Sequence, residues 1–175
     1  QRPPVEPKTR VNDTATPSRT AARRARAAAP PFVDDYLPAL LAQASQLVSC
    51  EFHEIVKASG WTVTEWRIMA TLAGGRALST GELSRVSLTK QPTVTRVLHG
   101  MQERGEVERI DDASDRRVTL VRMTAAGERA VARLIAQARA HESATLAPFG
   151  EALAAELKRA LRRIIDEHTP AGRHA

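Results

Sequence analysis

Residues 79–124, STGELSRVSLTKQPTVTRVLHGMQERGEVERIDDASDRRVTLVRMT, decide the fold. They read as a helix, a tight connection, a second helix and a short charged hairpin. Ser79 with Glu82 three residues on is the reciprocal pair that satisfies orphan amide donors at a helix start. Thr89 is placed to cap the second helix, and Pro92 falls in its first turn, where a missing N–H costs little. Val94, Val97, Leu98 and Met101 recur at helical spacing and turn one face toward a core. The opposite side carries Pro92, Thr95, Arg96 and His99, flanked by Gln91 and Thr93. Short hydroxyl and amide side chains with one arginine, at the exposed start of a packed helix, suit base edges in a major groove. An ordinary solvated face has the same composition, so the helix alone does not separate the two.

The hairpin favours the first, although a plain solvated turn at its tip stays open. After Gly105 the chain alternates through Val107-Glu108-Arg109-Ile110, crosses a polar run, and returns through Val118-Thr119-Leu120-Val121-Arg122-Met123. Two short strands around a tip holding Asp115, Arg116 and Arg117 form a wing, an arm able to place arginine in a minor groove. A helix-turn-helix followed directly by a wing is more specific than either part.

Trp66-Arg67, Gln91-Pro92-Thr93-Val94-Thr95-Arg96, Gly105-x-Val107-Glu108-Arg109, and Asp115-Arg116-Arg117 followed by Met123-Thr124 and Gly127 occur in an order that resembles the MarR family of winged-helix transcriptional regulators. The resemblance covers residues 35–168. It implies a mainly α fold with a small β-wing, a winged helix-turn-helix domain under a helical dimerisation layer. It also implies a homodimer on double-stranded DNA, gripping successive major grooves of a pseudo-palindromic operator, and a small-molecule effector that releases it. In that frame Gln91, Thr93, Thr95 and Arg96 read bases, Thr89 and Lys90 meet phosphates, and Ser79 counts among the DNA-binding residues. Arg117 enters the minor groove, Asp115 orients it by a charge-assisted hydrogen bond, and Arg116 meets phosphate or solvent. The segment around Trp66 and Gln91–Arg96 resembles members that control aromatic and hydroxynicotinate breakdown, so the expected effector is an aromatic or heteroaromatic carboxylic acid.

Composition is consistent with this reading. The 175 residues are 42% hydrophobic and only 3% aromatic, which favours helices over a sheet protein. No run is long enough to span a membrane and no apolar signal core opens the chain, so a cytoplasmic protein is expected. Of the net charge of +6, residues 1–30 supply +5, with seven basic side chains against Glu6 and Asp13. The remainder is nearly neutral, so any DNA affinity there must come from placement of charge.

Five segments are expected. Residues 1–31 form a basic tail too poor in large apolar side chains to order itself. Residues 32–60 hold a first dimerisation helix, running from Asp34 or Asp35 to Ser59 and lined by Leu37, Leu40, Leu41, Ala44, Val48, Phe52 and Ile55. Glu51 on that stripe suggests a buried or interfacial polar contact. Residues 61–124 form the winged domain, opening with Thr62 or Thr64 as a cap. Residues 125–169 hold C-terminal dimerisation helices reset at Pro148; the last has the stripe Leu153, Leu157, Leu161, Ile164 and Ile165. Residues 170–175 are a frayed tail.

Ser49, His53 and Lys57 recur on one flank of the first long helix, and the next helix carries Trp66 and Arg67. A ring, a cation and hydrogen-bonding groups converging between helices is what an aromatic carboxylate needs. A satisfied histidine and an arginine paired with a neighbouring acid would give the same sequence. Arg109 could face this pocket or DNA phosphates. No phosphate loop, nucleophile elbow, paired carboxylates or metal-ligand set is evident, so neither an enzyme nor a cofactor nor a metal is expected. Cys50 excludes an internal disulfide framework. It lies deep in its helix with Tyr36 the only tyrosine, so a buried, inert thiol is expected, with redox sensing as the alternative.

Overall fold

The computed structural model describes residues 31–112 and 118–169, mostly helical with a small antiparallel sheet. It divides into two compact units, residues 1–43 and 44–175.

The described part of the first unit holds a short helix α1 (Phe32–Asp35) and the start of the long helix α2 (Leu37–Ala58). The expected single helix from Asp34 or Asp35 is broken at Tyr36, whose backbone is extended. Pro38 is the reason. In a continuous helix it would lack the N–H that bonds the Asp34 carbonyl, and its ring would press on that carbonyl. Phe32 stacks on Tyr36 with ring centroids 4.7 Å apart.

In the second unit α2 continues to Ala58, and Gly60 takes up the left-handed backbone that follows it. Then come α3 (Val63–Leu72), β1 (Leu78–Ser79), α4 (Thr80–Val86), α5 (Gln91–Glu103), β2 (Val107–Asp111), β3 (Thr119–Met123), α6 (Ala125–Leu146), a 3-10 turn at Ala147–Phe149 and α7 (Gly150–His168). The helix starts follow local chemistry. Thr62 with Glu65 and Ser79 with Glu82 each form both halves of a capping box. Thr124 caps α6 through the Gly127 N–H.

The sheet has order β1-β3-β2, with Leu78 opposite Val121 and Arg109 opposite Val121 from the other side. Two wing strands were expected; β1 is an addition. One core gathers Phe52 and Val56 of α2, Ile68, Met69 and Leu72 of α3, Leu83, Val94, Leu98 and Met101, the sheet residues Leu78, Val107, Val121 and Met123, and Val131 and Leu134 of α6. The wing is fastened to α6 at one close approach. Thr124 donates to the Gly105 carbonyl at 2.6 Å, and a Cβ on Gly127 would collide with the Glu106 carbonyl. Only glycine fits there.

Candidate functional site

The connection between α4 and α5 is held from both ends. Ser84 donates to the Thr89 carbonyl at 2.7 Å, and the Thr89 N–H returns to the Ser84 carbonyl at 3.0 Å. Leu88 between them takes a left-handed φ of 53°. Thr89 was expected to cap α5. Instead Lys90 holds the N-cap position without a side-chain bond, and the Thr89 hydroxyl donates to the Ser87 carbonyl at 3.1 Å. The helix starts one residue later than the sequence suggests, so Thr89 belongs to the turn and secures it.

Beyond it, α5 is sharply two-sided. Val94, Leu98 and Met101 are buried and Val97 packs against the core. Lys90, Gln91, Pro92, Thr95, Arg96 and His99 are exposed, and Thr93 is half-buried. Thr95 donates to the Gln91 carbonyl at 3.1 Å, which leaves its lone pairs free to accept. His99 lies 3.4 Å from Glu103, whereas Arg96 and Lys90 have no ion pair among the described residues. Ser79 is half-buried and donates its hydroxyl to Glu82 at 2.8 Å. Asp115, Arg116 and Arg117 lie outside the described residues. So do residues 1–30 and 170–175, and with them the expected basic and frayed tails.

Arg109 is exposed on β2 and donates to Gln102 of α5 at 3.1 Å, which ties the wing to the end of that helix. At the base of the wing Arg104 bridges Glu65 of α3 at 2.6 Å and Glu106 at 2.9 Å. Burial opposes ionisation of Glu65. Bonds from Thr62 and from the Arg104 guanidinium outweigh it and hold the carboxyl below the usual carboxylate range.

The second cluster of expected residues is only partly assembled. His53 is half-buried; burial lowers its basicity, and Arg67 and then Lys57 lower it further, against Glu54. His53 and Arg67 therefore share one neighbourhood. Trp66 sits between Phe52, at 5.2 Å between rings, and a shallow cleft of about 240 Å³ against α6. That cleft is lined by Trp66, Ala70, Ala73, Ile135, Ala138, Arg139 and Glu142. Ser49, His53, Arg67 and Arg109 do not line it. Arg139, not singled out from the sequence, supplies its cation.

One expectation for α2 needs correction. Glu51 is exposed and lies 3.3 Å from the half-buried His141 of α6, so it is not buried within its own chain. Cys50, expected to be buried, is exposed, with Gln46 donating to its sulfur at 3.0 Å. Depth along a helix does not set burial; the face does, and Cys50 stands about 200° around the helix from Phe52.

No helix among the described residues is long and apolar enough to cross a membrane. A profile of the MarR family matches residues 59–118, from the end of α2 to the start of β3. The HTH-type transcriptional regulator FarR of Neisseria gonorrhoeae is 27% identical over 89 residues, 51% of this chain and 61% of FarR. The chain thus spans about three fifths of that relative's length. The solved structure of NadR in complex with 4-hydroxyphenylacetate shares the fold, with 23% identity, a TM-score of 0.68 and coverage of 74% of this chain and 92% of NadR. A MarR family transcriptional regulator from Silicibacter pomeroyi DSS-3 is 38% identical, with a TM-score of 0.68 and coverage of 79% of this chain and 99% of the other. With the winged fold, the matching profile and a relative aligned over nearly its whole length, this chain belongs to the MarR family of transcriptional regulators.

Proposed function

We propose that this chain is a sequence-specific DNA-binding regulator that acts as a homodimer on a pseudo-palindromic operator. The observation that carries the reading is the two-sidedness of α5. Its apolar face is sunk in the core while Lys90, Gln91, Thr95 and Arg96 stand exposed along its first turns. Such a helix start enters a major groove without disturbing the fold behind it. Gln91, Thr93, Thr95 and Arg96 read bases, Lys90 and the Thr89 turn meet phosphate, and the wing with Asp115, Arg116 and Arg117 follows into the minor groove. Ser79 contributes its place at the start of α4, since its hydroxyl is committed to Glu82.

The regulator is a repressor released by an aromatic or heteroaromatic carboxylic acid. NadR, which shares the fold, was captured with an aromatic carboxylate. In this chain the Trp66 cleft offers a ring, apolar walls and Arg139. A ligand there would wedge α3 from α6, which continues from the wing through Thr124 and Gly127. It would bias the dimer toward a spacing of recognition helices that no longer fits half-sites one turn apart. Residues 32–60 and 125–169 supply the dimer layer, each carrying exposed apolar side chains suited to a partner.

The test is fluorescence anisotropy on DNA upstream of the chain's own gene against a scrambled duplex, followed by a panel of aromatic and pyridine carboxylic acids. Specific binding released by one acid supports the whole reading. Specific binding that no acid disturbs removes the effector, and equal binding to both duplexes replaces the regulator with an architectural DNA binder. Exposure of Cys50 favours a second reading, a thiol-gated regulator. In that case peroxide releases the operator and Cys50→Ser abolishes the response.

A further inference from the structure

The C-terminal end of α5, away from the residues assigned to DNA, is where Arg104, Glu106 and Glu65 of α3 meet. Arg104 closes the helix, and Gly105 behind it takes a left-handed φ of 69° that turns the chain toward β2. The guanidinium holds two carboxylates at once. It donates to Glu106 through two nitrogens, at 3.0 and 2.9 Å, and to Glu65 at 2.6 Å. We propose that Arg104 is a positioning residue: by tying α5 to Glu65 and Glu106 it sets the tilt of the recognition helix, and so the spacing of half-sites that the dimer accepts. The inference rests on the operator reading above.

Each anchor is itself held. The other oxygen of Glu65 accepts the Thr62 N–H and hydroxyl, at 2.9 and 2.7 Å, so this carboxylate is fixed to the start of α3. The Glu106 carbonyl accepts the Thr124 N–H at 3.1 Å and lies against Gly127, where a Cβ would not fit, so Glu106 is fixed to the start of α6. Arg104 thus fastens one end of α5 to α3 directly and to α6 through the Glu106 backbone. Both carboxylates are only 15% exposed and one is gripped by two parallel bonds, which sets the cluster apart from a solvated surface pair.

Apolar burial is non-directional and fixes chiefly which face of α5 turns inward; directed bonds at one end fix its tilt. The lever is long. The 13 residues of α5 span about 20 Å, so a tilt of about 10° about Arg104 would carry the Gln91 end about 3 Å. One base-pair step is about 3.4 Å. Tilting α5 in both subunits would therefore fit half-sites set one or two steps nearer or farther apart.

The test uses the full chain and the duplex it binds upstream of its own gene. Companion duplexes carry one base pair added to or removed from the centre, and a further one holds a single half-site. In fluorescence anisotropy the parent chain should lose about tenfold in affinity on either spacing variant. Arg104→Gln should bind the three spacings within about threefold of one another and should bind the single half-site as the parent does. Arg104→Lys, which keeps the charge but loses the fork, should fall between them. If circular dichroism shows that Arg104→Gln does not fold, Glu65→Gln answers the same question, because glutamine keeps the capping acceptor for Thr62 and gives up the charge facing Arg104. Parent-like discrimination between spacings in the folded variant overturns the proposal. So does an equal loss on the half-site and the full operator, which would make Arg104 a direct DNA contact or a general stabiliser. A parent chain indifferent to spacing overturns the operator reading and this proposal with it, and that outcome is visible before any variant is made.

Discussion

Helices α5 and α7 carry equally clean apolar stripes and meet opposite fates. Val94, Leu98 and Met101 of α5 are 0% exposed, whereas Leu153 and Ile165 of α7 are 53% and 62% exposed, and α7 has no buried residue. The stripe of α5 is met by α3, α4 and β2 of its own chain. A hydrophobic period states which side of a helix is to be covered, and says nothing of what covers it. Where a chain cannot cover its own stripe, a second copy is the natural candidate.

The sharpest way to break this comparison is to damage each stripe in turn. Leu98→Ala should cost about 2–5 kcal/mol of folding stability in denaturant titrations, because α3, α4 and β2 cannot all close on the gap. Leu157→Asp should leave that core intact and act on association instead. Sedimentation should move toward the monomer, and the dependence of melting temperature on concentration should vanish. An unchanged sedimentation profile for Leu157→Asp would remove α7 from the subunit interface.

The outer side of α5 gives the next largest effect. Arg96→Ala should cost about 1–3 kcal/mol of operator affinity and relax base preference. Lys90→Ala should weaken every duplex alike and flatten the salt slope. Selection from a randomised duplex pool, repeated at two salt concentrations, separates the two. Identical behaviour of both variants would mean that bases are not read from this helix start.

How much of this was legible in the sequence depended on how local the cause was. The capping box at Ser79, a cap at Thr62 or Thr64 (the structure has Thr62), the α5 stripe, the two wing strands and the reset at Pro148 are all written within a few residues and came through. β1 did not, because Leu78–Ser79 is extended by pairing with Leu120 and Val121, some forty positions away. The break at Tyr36 is legible in Pro38, two residues on. Helical spacing joins Ser49, His53 and Lys57, and Trp66 and Arg67 are expected to face them from the next helix, yet the cleft beside Trp66 takes its charge from Arg139, on a helix about seventy residues later. Two surfaces brought together by the core cannot be read from either alone.

Caps give a smaller effect, and one that tests the placement of the turn before α5. Thr62→Ala should cost about 1 kcal/mol, since it removes the acceptor for the Glu65 N–H and the donor to Glu65. Thr89→Ala removes no cap and should cost clearly less, its hydroxyl being bonded only to the Ser87 carbonyl. Equal losses in thermal denaturation would restore Thr89 as the cap.

The smallest expected effect lies on α2 beside its two buried residues. His53 holds its proton less tightly than the ordinary value of 6.5 implies, first because it is partly removed from water and then because Arg67 and Lys57 repel the charged ring. Its folded-state value is therefore below its unfolded one, and the unfolded chain binds the proton better. Stability from this source is fully present above the unfolded value and is lost as pH falls through the folded value. His53→Gln should accordingly match the parent chain at pH 8 and melt above it at pH 5. The gap should narrow in part in high salt, because the ring is only partly removed from water and the repulsion from Arg67 and Lys57 is partly screened. A melting-temperature difference equal at both pH values would mean that the packing of His53, and not its charge, sets the result.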